Sequence, residues 1–238
     1  MPARATILLF DIDGTLLLTQ GAGVQAMLDA GRELWGERFT IDGVEFSGRL
    51  DTLIWNDLTR INGVANDEAN HDRFRAAYGR QLAQRLQHNP TARLLPGVRE
   101  LVHKIIDVDH ATLGLLTGNY PETGRLKIQS AGLDPDLFKV AAWGCDGKAR
   151  RDLTPLAMKR HLQLTGRHVR GEEVVVIGDT PHDVDCAKAH GCRSIGVATG
   201  MFSVADLEAT GADLAVETLA DTAGVLRWMF ESPVAVSE

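Results

Sequence analysis

Four short runs of aliphatic residues constrain the fold of this chain more than any other feature. Each run ends in small or polar residues, and none alternates regularly between apolar and polar positions. Continuous apolar runs of this kind are typical of parallel strands that are covered on both faces. The sequence therefore predicts buried parallel strands in ATILLFD from residue 5, ATLGLLTGN from residue 111, EEVVVIGDT from residue 172 and RSIGVATG from residue 193.

Helical patterns alternate with these runs from residue 97 onward. In PGVRELVHKII a proline precedes an apolar stripe with helical spacing, and PETGRLKIQSAG ends at a glycine suited to a helix C-terminus. LTPLAMKRHLQLTG and HDVDCAKAHG are similar, and ADLAVETLADTAGVLRWMF offers one more strand and a closing helix. This alternation predicts an α/β fold with a doubly wound parallel sheet, Rossmann-like in architecture.

Residues 20–95 have a different character. They contain three amphipathic helical patterns, GVQAMLDAGRELWGERF, RLDTLIWNDLTRIN and HDRFRAAYGRQLAQRLQ, and no convincing buried strand. We predict that residues 20–95 form an inserted, all-helical cap domain on a core of residues 1–19 and 96–238. Linkers near Thr19–Gly23 and Ala92–Pro96 would join the two parts.

Charge and composition narrow the classes of partner and compartment. A formal net charge of −7 disfavours a nucleic-acid groove or an anionic membrane surface. The sequence has no secretory signal pattern and no apolar run near the ~20 residues that span a bilayer. Its odd number of cysteines, three, fits free thiols in a reducing compartment. We expect a cytoplasmic protein without nucleic-acid or membrane partners, and the sequence does not predict its oligomeric state.

The first run ends in LLFDIDGTLL, where Asp11 and Asp13 lie two positions apart. Side chains at this spacing share one face of an extended chain, and Gly14 permits a sharp reversal directly after them. An open parallel sheet binds ligands beyond the carboxyl ends of its strands, so both carboxylates could enter one pocket. The alternative is a turn in which the two aspartates cap backbone amides. An EF-hand calcium loop fits poorly, because it needs glycine at its sixth position and glutamate at its twelfth, and these positions, counted from Asp11, hold Leu16 and Ala22.

Two other predicted strands also end in polar residues. LLTGN places Thr117, Gly118 and Asn119 at the edge of the sheet, and GDTPHD places Asp179 there, with Asp183 at the start of the next helix. Thr117 or Asp183 alone would be read as a helix cap. Several carboxylates at one edge need a cation, because two unit charges ~4 Å apart repel by about 4 kcal/mol at an effective dielectric constant near 20. Oxygen ligands favour Mg²⁺ over zinc.

The segments DIDGT, LLTGN and GDTPHD, in this order, resemble the motifs of the haloacid dehalogenase-like hydrolase superfamily. The resemblance is greatest to its phosphoglycolate-phosphatase-like members, whose C1-type helical cap matches the inserted segment. It implies a Mg²⁺-dependent phosphatase that hydrolyses a small phosphorylated metabolite, of the phosphoglycolate or sugar-phosphate type, through an aspartyl-phosphate intermediate. Two alternatives stay open: a phosphohexomutase of the β-phosphoglucomutase type, and a non-catalytic protein that binds a phosphorylated ligand.

The resemblance also implies roles for the acidic residues. Asp11 would be the nucleophile, and Asp13 would protonate the leaving alcohol and then activate water. The Asp11 carboxylate, the Asp13 backbone carbonyl and the Asp179 carboxylate would hold Mg²⁺. Asp183 would orient these groups without binding the ion directly. The dehalogenases of the superfamily lack the second aspartate of the first motif, so Asp13 favours phosphoester chemistry.

Thr117 and Gly118 would bind the phosphoryl group together with a cationic side chain. The family usually supplies a lysine, often followed by proline, before the helix that precedes the last acidic motif. This chain has GKARRDLTPLAMKR there, with no Lys-Pro. Arg150 is the favoured replacement because of its position relative to DLTPLA, and arginine can grip phosphate oxygens through two nitrogens. Lys148 and Arg151 remain rivals, and all three could instead be solvated loop charges.

Substrate specificity would come from the cap. FSGRLDTLIW resembles the family's cap segment in which a glycine precedes a residue that faces the active site. Gly48 and Arg49 are therefore candidates for contacts to the substrate beyond its phosphate. The alternative for Arg49 is a charge that faces solvent.

Two further patterns in the sequence have simpler explanations than a binding site. GAGVQA, residues 21–26, matches a glycine-rich dinucleotide-binding pattern, but no strong parallel strand follows it, and a hinge linker explains its glycines better. A zinc site at Asp183, Cys186, His190 and Cys192 lacks well-defined ligand pairs, and the small residues around Cys186 indicate packing.

Overall fold

The computed structural model describes residues 6–88 and 91–231 of the 238-residue chain. The outer ends of the predicted core, at residues 1–5 and 232–238, lie outside the described residues. The strands are β1 (Ile7–Phe10), β2 (Leu17–Leu18), β3 (Arg93–Leu94), β4 (Thr112–Leu116), β5 (Val140–Ala142), β6 (Val174–Gly178), β7 (Arg193–Val197) and β8 (Leu214–Val216). The helices are α1 (Ala22–Trp35), α2 (Asp51–Asn62), α3 (Glu68–His88), α4 (Val98–Ile106), α5 (Pro121–Ser130), α6 (Leu153–Thr165), α7 (Pro181–Lys188), α8 (Val204–Ala209) and α9 (Thr222–Glu231).

Six strands form a parallel sheet in the order β5-β4-β1-β6-β7-β8. The predicted doubly wound α/β fold is confirmed, and the four aliphatic runs contain β1, β4, β6 and β7. Strand β1 lies between β4 and β6, where Phe10 pairs with Leu115 on one side and Ile177 on the other. The carboxyl ends of these three strands are therefore neighbours, although their sequences are far apart.

Helices cover both faces of the sheet, which explains why its strands have no polar face. Leu8 and Phe10 pack on one side, in a cluster that includes residues of α4 and α9. Ile7 and Leu9 pack on the other side, with residues of α6 and α7. All four of these strand residues are fully buried, as continuous apolar runs require.

Three short strands were not predicted. Strand β5 pairs with the edge of β4, and β2 forms an antiparallel ribbon with β3 in which Leu17 faces Leu94. Strands of two or three residues are too short to leave a periodic pattern in the sequence. Strand β2 leads from the DIDGT segment into helices α1, α2 and α3, and strand β3 follows these helices. We call the part of the chain from α1 to α3 the helical insert.

The helical insert has its own apolar core. Trp55, Phe74 and Tyr78 are fully buried, and the rings of Trp55 and Phe74 stack with centroids 4.9 Å apart. Tyr120, which precedes α5 outside the insert, joins the same cluster, so the insert packs directly against the end of β4. Within the described residues, none of the helices is long and apolar enough to cross a membrane.

Candidate active site

Asp11 and Asp13 lie at the carboxyl end of β1. The backbone N–H of Asp11 still donates to Ile177 O of β6 at 2.9 Å, so the chain stays paired through the first aspartate. The turn follows at Gly14, whose φ of +79° favours glycine and whose N–H donates to Leu17 O. Both carboxylates line one cavity, with Asp11 buried and the Asp13 side chain 44% exposed. The Asp13 carboxylate accepts hydrogen bonds from side chains, in contrast to a capping turn.

Three buried carboxylates converge at this edge of the sheet. Asp11, Asp179 and Asp183 each place an oxygen within 4.8 Å of the other two. Burial raises the pKa of Asp11 to about 6, against the opposing effect of a nearby arginine. Burial and the charges of Asp11 and Asp183 raise the pKa of Asp179 to about 8. Burial therefore disfavours the ionised forms of Asp11 and Asp179 in the absence of a cation.

The donor set fits a hard divalent cation. Thr15 Oγ1 donates to Asp179 Oδ1 at 3.1 Å, which orients that carboxylate. Both oxygens of Asp183 are already engaged, Oδ2 by the N–H and hydroxyl of Thr180 and Oδ1 by the Arg150 guanidinium. In proteins, Mg²⁺ is usually bound by one or two carboxylates together with waters and substrate oxygens. Buried carboxylates held in place by hydrogen bonds are therefore suitable surroundings for this ion.

Mg²⁺ binding is expected to depend on pH. The folded-state pKa values of Asp11 and Asp179 lie above the ordinary value of 3.8, so without metal the stability that these groups contribute is lost as the pH rises toward about 8. Since Mg²⁺ binds the ionised carboxylates, it should raise the Tm more at pH 8 than at pH 6. Thermal unfolding with and without Mg²⁺ measures this difference, and Asp179→Asn should abolish most of it. Equal Mg²⁺ shifts at the two pH values would contradict the expectation.

Arg150 is the basic residue that reaches the acidic cluster. It begins a short 3₁₀ turn before α6 and is 8% exposed. Its Nη2 lies 2.6 Å from Asp183 Oδ1 and 2.9 Å from Asp11 Oδ2, and its Nη1 donates to Gly48 O at 3.1 Å. Its two rivals lie elsewhere: Arg151 pairs with Asp185 on the surface, and Lys148 is exposed.

Thr117 and Gly118 occupy the end of β4, next to Asp11. Thr117 is fully buried and forms a hydrogen bond with Asp11 that opposes the rise in the Asp11 pKa. Gly118 lies against the insert, and a Cβ there would lie 1.9 Å from Arg49 O. Its carbonyl accepts the N–H of Asp51, the first residue of α2, at 2.7 Å. Gly118 is thus the point where the core and the helical insert meet.

A buried lysine completes the surroundings of Asp13. Lys127 of α5 is 4% exposed, and its Nζ lies 2.6 Å from both Asp13 Oδ2 and Asn119 Oδ1. Asn119 Nδ2 donates to Asp13 Oδ2 and to Thr117 Oγ1, each at 2.9 Å. No motif in the sequence identified Lys127 as a site residue. The signal that could have found it is its position on the helix. Lys127 shares one face of α5 with Thr123, Gly124 and Ile128, and this face is buried in the structure.

The helical insert supplies the other wall of the cavity. Gly48 and Arg49 both line it, but the Arg49 guanidinium is paired with Asp57 of α2, with Nη1 2.6 Å from Oδ2. Arg49 is therefore only partly exposed and is not a free solvent-facing charge. Asp51, which the sequence analysis also missed, is buried and lines the cavity, and its Oδ2 accepts the N–H of Tyr120 at 3.0 Å. Burial raises the pKa of Asp51 to about 7, against the opposing charge of Lys127.

Comparisons with known proteins support the resemblance that the motifs suggest. Residues 147–222, which contain Arg150, Asp179 and Asp183, match the model of the HAD-hydrolase-like family. The match covers 76 of the 238 residues. The resemblance inferred from its motifs is confirmed at this level, as is the prediction of a phosphatase-like hydrolase.

Relatives and solved structures extend the similarity over nearly the whole hydrolase chain. Pyrophosphatase PpaX from Listeria monocytogenes is 26% identical over 230 residues, which cover 95% of this chain and 99% of the relative. A hydrolase from Pseudomonas syringae has a TM-score of 0.70 at 21% identity, covering 96% of this chain and 100% of that one. CbbY from Rhodobacter sphaeroides, solved in complex with phosphate, has a TM-score of 0.73 at 19% identity, covering 91% and 96%. At these identities the two structures establish the fold.

Proposed function

We propose that this hydrolase is a Mg²⁺-dependent phosphatase that acts on a small phosphorylated metabolite through an aspartyl-phosphate intermediate. The observation that carries the proposal is the position of the Asp11 carboxylate. It lines the cavity, lies 2.9 Å from the Arg150 guanidinium, and belongs with the buried carboxylates of Asp179 and Asp183 to a cluster that suits a divalent cation. A bound Mg²⁺ would offset the negative charges of the carboxylates and of the phosphoryl group.

In the first half-reaction, an Asp11 oxygen would attack phosphorus while the bond from phosphorus to the leaving oxygen breaks. Arg150 and the Thr117 hydroxyl lie next to Asp11 and would bind phosphoryl oxygens. Asp13 would donate a proton to the leaving oxygen, because its carboxylate faces the same cavity. In the second half-reaction, Asp13 would take a proton from a water molecule, whose oxygen attacks phosphorus and releases phosphate and free Asp11.

We propose that the helical insert acts as the cap of this site. Three contacts hold it over the carboxyl ends of the strands: Asp51 N to Gly118 O at 2.7 Å, Thr52 Oγ1 to Gly144 O at 2.9 Å, and Arg150 Nη1 to Gly48 O at 3.1 Å. The cavity that remains is about 300 Å³, the size of a small ligand. Closure of this kind would exclude bulk water while the leaving group departs.

The activity is tested with p-nitrophenyl phosphate and a panel of metabolite monophosphates, with Mg²⁺ and after its removal by a chelator. Phosphate release that is lost on chelation and restored by Mg²⁺ supports the proposal, and Asp11→Asn serves as the control for contaminating phosphatases. Absence of Mg²⁺-dependent release from every substrate would overturn it and favour a binding protein. With a labelled phosphoryl group, release to water indicates a phosphatase, and transfer to a hexose phosphate indicates a mutase.

Lys127 is expected to be a positioning residue for Asp13. Lys127→Met removes the cation that holds the Asp13 carboxylate, so kcat for alkyl phosphates should fall by about 10–100-fold, which is less than the roughly 10²–10⁴-fold expected for loss of the general acid itself. Turnover of p-nitrophenyl phosphate, whose leaving group needs little protonation, should fall much less. Lys127→Arg should restore part of the loss. Arg125→Met, on the same helix but paired with Asp136 at the surface, is the matched control. Equal losses for both kinds of substrate would argue for a purely structural role.

A further inference from the structure

The helical insert and the segment that leads into it line the part of the cavity that would hold the leaving group. The apolar side chains there are Leu18, Val24, Met27, Phe46 and Ile54. Neutral polar side chains are contributed by Thr19, Gln20 and Ser47. An ionic group that met only these side chains would have no partner of opposite charge.

Every cationic side chain among the described lining residues is already paired with a carboxylate. Arg150 binds Asp11 and Asp183, and Lys127 binds Asp13 at 2.6 Å. The third, Arg49, is the cation that the insert contributes, and it is paired with Asp57. Unlike the first two pairs, this one lies wholly within the insert, where Asp57 also pairs with the exposed Arg60 at 3.0 Å. Asp57 therefore offsets the charge of Arg49 at the cavity but is shared with a second cation.

The insert also contributes an acid, Asp51, that forms no ion pair with the described residues, although the charge of Lys127 acts on it. Asp51 is 6% exposed, and its position is fixed by two hydrogen bonds to the core, from its own N–H to Gly118 O and from Tyr120 N to its Oδ2. The described lining contains four carboxylates and three cations, of which Lys127 and Arg150 are committed to the catalytic carboxylates. Mg²⁺ and a phosphoryl dianion have opposite charges of equal size, so their binding leaves this balance negative.

From this charge distribution we infer that the substrate is a monophosphate of a neutral alcohol, with no second anionic group. The inference rests on the proposed phosphatase function and names the substrate class of the same site. A carboxylate or second phosphate on the leaving group would lie near Asp51 and would meet no unpaired cation among the described lining residues. Phosphoglycolate and pyrophosphate are therefore poor substrates, although one relative is named a pyrophosphatase.

The test compares two substrates of nearly equal size, 2-hydroxyethyl phosphate and phosphoglycolate, which differ in one hydroxymethyl or carboxylate group. At pH 8, above the pKa of about 7 for Asp51, kcat/KM should be at least about tenfold higher for 2-hydroxyethyl phosphate, because one unit charge near another in a partly buried site is worth more than a factor of ten. Pyrophosphate should also be hydrolysed more slowly than 2-hydroxyethyl phosphate. An equal or higher kcat/KM for phosphoglycolate or pyrophosphate would overturn the inference.

A variant tests the electrostatic reason. Asp57→Asn leaves the Arg49 guanidinium without its carboxylate partner, so phosphoglycolate hydrolysis should rise by about tenfold while 2-hydroxyethyl phosphate hydrolysis stays unchanged. Asp29→Asn, which breaks the Arg85 ion pair elsewhere in the insert, is the matched control and should leave the ratio unchanged. The same ratio in Asp57→Asn and wild type would overturn the electrostatic account. If no monophosphate is hydrolysed by the wild type, the phosphatase function itself fails, which is a distinguishable outcome.

Discussion

Replacement of Asp11 by asparagine is expected to abolish turnover of every phosphorylated substrate while leaving the fold intact. The amide has nearly the same shape as the carboxylate but no charge and little nucleophilicity, so kcat should fall by at least about 10⁴-fold, as in other enzymes that lose a nucleophile. Stability should not fall, because Asp11 lies within 4.8 Å of two other carboxylates and burial already disfavours its ionised form. Without Mg²⁺, the Tm of Asp11→Asn should equal or exceed that of the wild type.

Two measurements on Asp11→Asn separate catalysis from structure. Steady-state phosphate release gives the loss of kcat, and thermal unfolding with and without Mg²⁺ gives the metal-dependent stabilisation, which should be smaller than in the wild type. Asp185→Asn is a suitable control, since Asp185 lies on α7 close to the cluster in sequence but pairs with Arg151 at the surface. Mg²⁺-dependent hydrolysis by Asp11→Asn at more than a hundredth of the wild-type rate would remove Asp11 from its proposed role.

The sheet could be predicted because its strands have a strong local signal. The strand residues within these runs are buried, apart from Thr112 at the start of β4, and burial on both faces is what removes polar residues from a strand. Strand β5 carries no such signal, since it has three residues and lies at the edge of the sheet. The β2-β3 ribbon depends on two residues from each strand, separated by the whole helical insert. Such pairing is decided by tertiary structure, and no local pattern predicts it.

The same distinction explains which parts of the site could be anticipated. Asp11, Thr117 and Asp179 follow buried strands, so the parallel topology alone brings them to one edge of the sheet. Lys127 and Asp51 come from helices and not from strand ends. Lys127 lies on α5 of the core, and Asp51 lies on α2 of the helical insert. Their positions depend on how α5 and α2 pack, which the sequence pattern does not determine.

Arg150 occupies the place where the family usually has a lysine, and its contacts explain why an arginine fits this site. Its guanidinium makes three contacts at once, with Asp11, Asp183 and the carbonyl of Gly48 in the insert. Two nitrogens at the fixed spacing of a planar fork can serve the acidic cluster and the insert together, whereas a lysine has a single nitrogen. The choice among Lys148, Arg150 and Arg151 rests on the 3₁₀ turn that begins at Arg150 and aims its side chain at the cluster.

Asp13→Asn is expected to have the second-largest effect and to reveal the two half-reactions. Asparagine cannot donate the proton that an alkoxide leaving group needs, so hydrolysis of alkyl phosphates should fall by about 10²–10⁴-fold, the usual contribution of a general acid or base. A substrate with a good leaving group, such as p-nitrophenyl phosphate, should still phosphorylate Asp11. The phosphoenzyme should then accumulate, because no base at position 13 activates water. A burst of p-nitrophenol equal to the enzyme concentration, followed by slow turnover, would be the kinetic signature.

The loss in Asp13→Asn must be separated from damage to the site, because Lys127 would lose its carboxylate partner. An ammonium group that is 4% exposed would then retain Asn119 Oδ1 as its neutral partner, which should lower the Tm by about 2–4 °C for roughly 1 kcal/mol. The double variant Asp13→Asn/Lys127→Met should recover this stability without recovering activity. If it instead recovers alkyl phosphate hydrolysis, Asp13 is not the acid, and its effect on the rate is only the effect of an unpaired lysine.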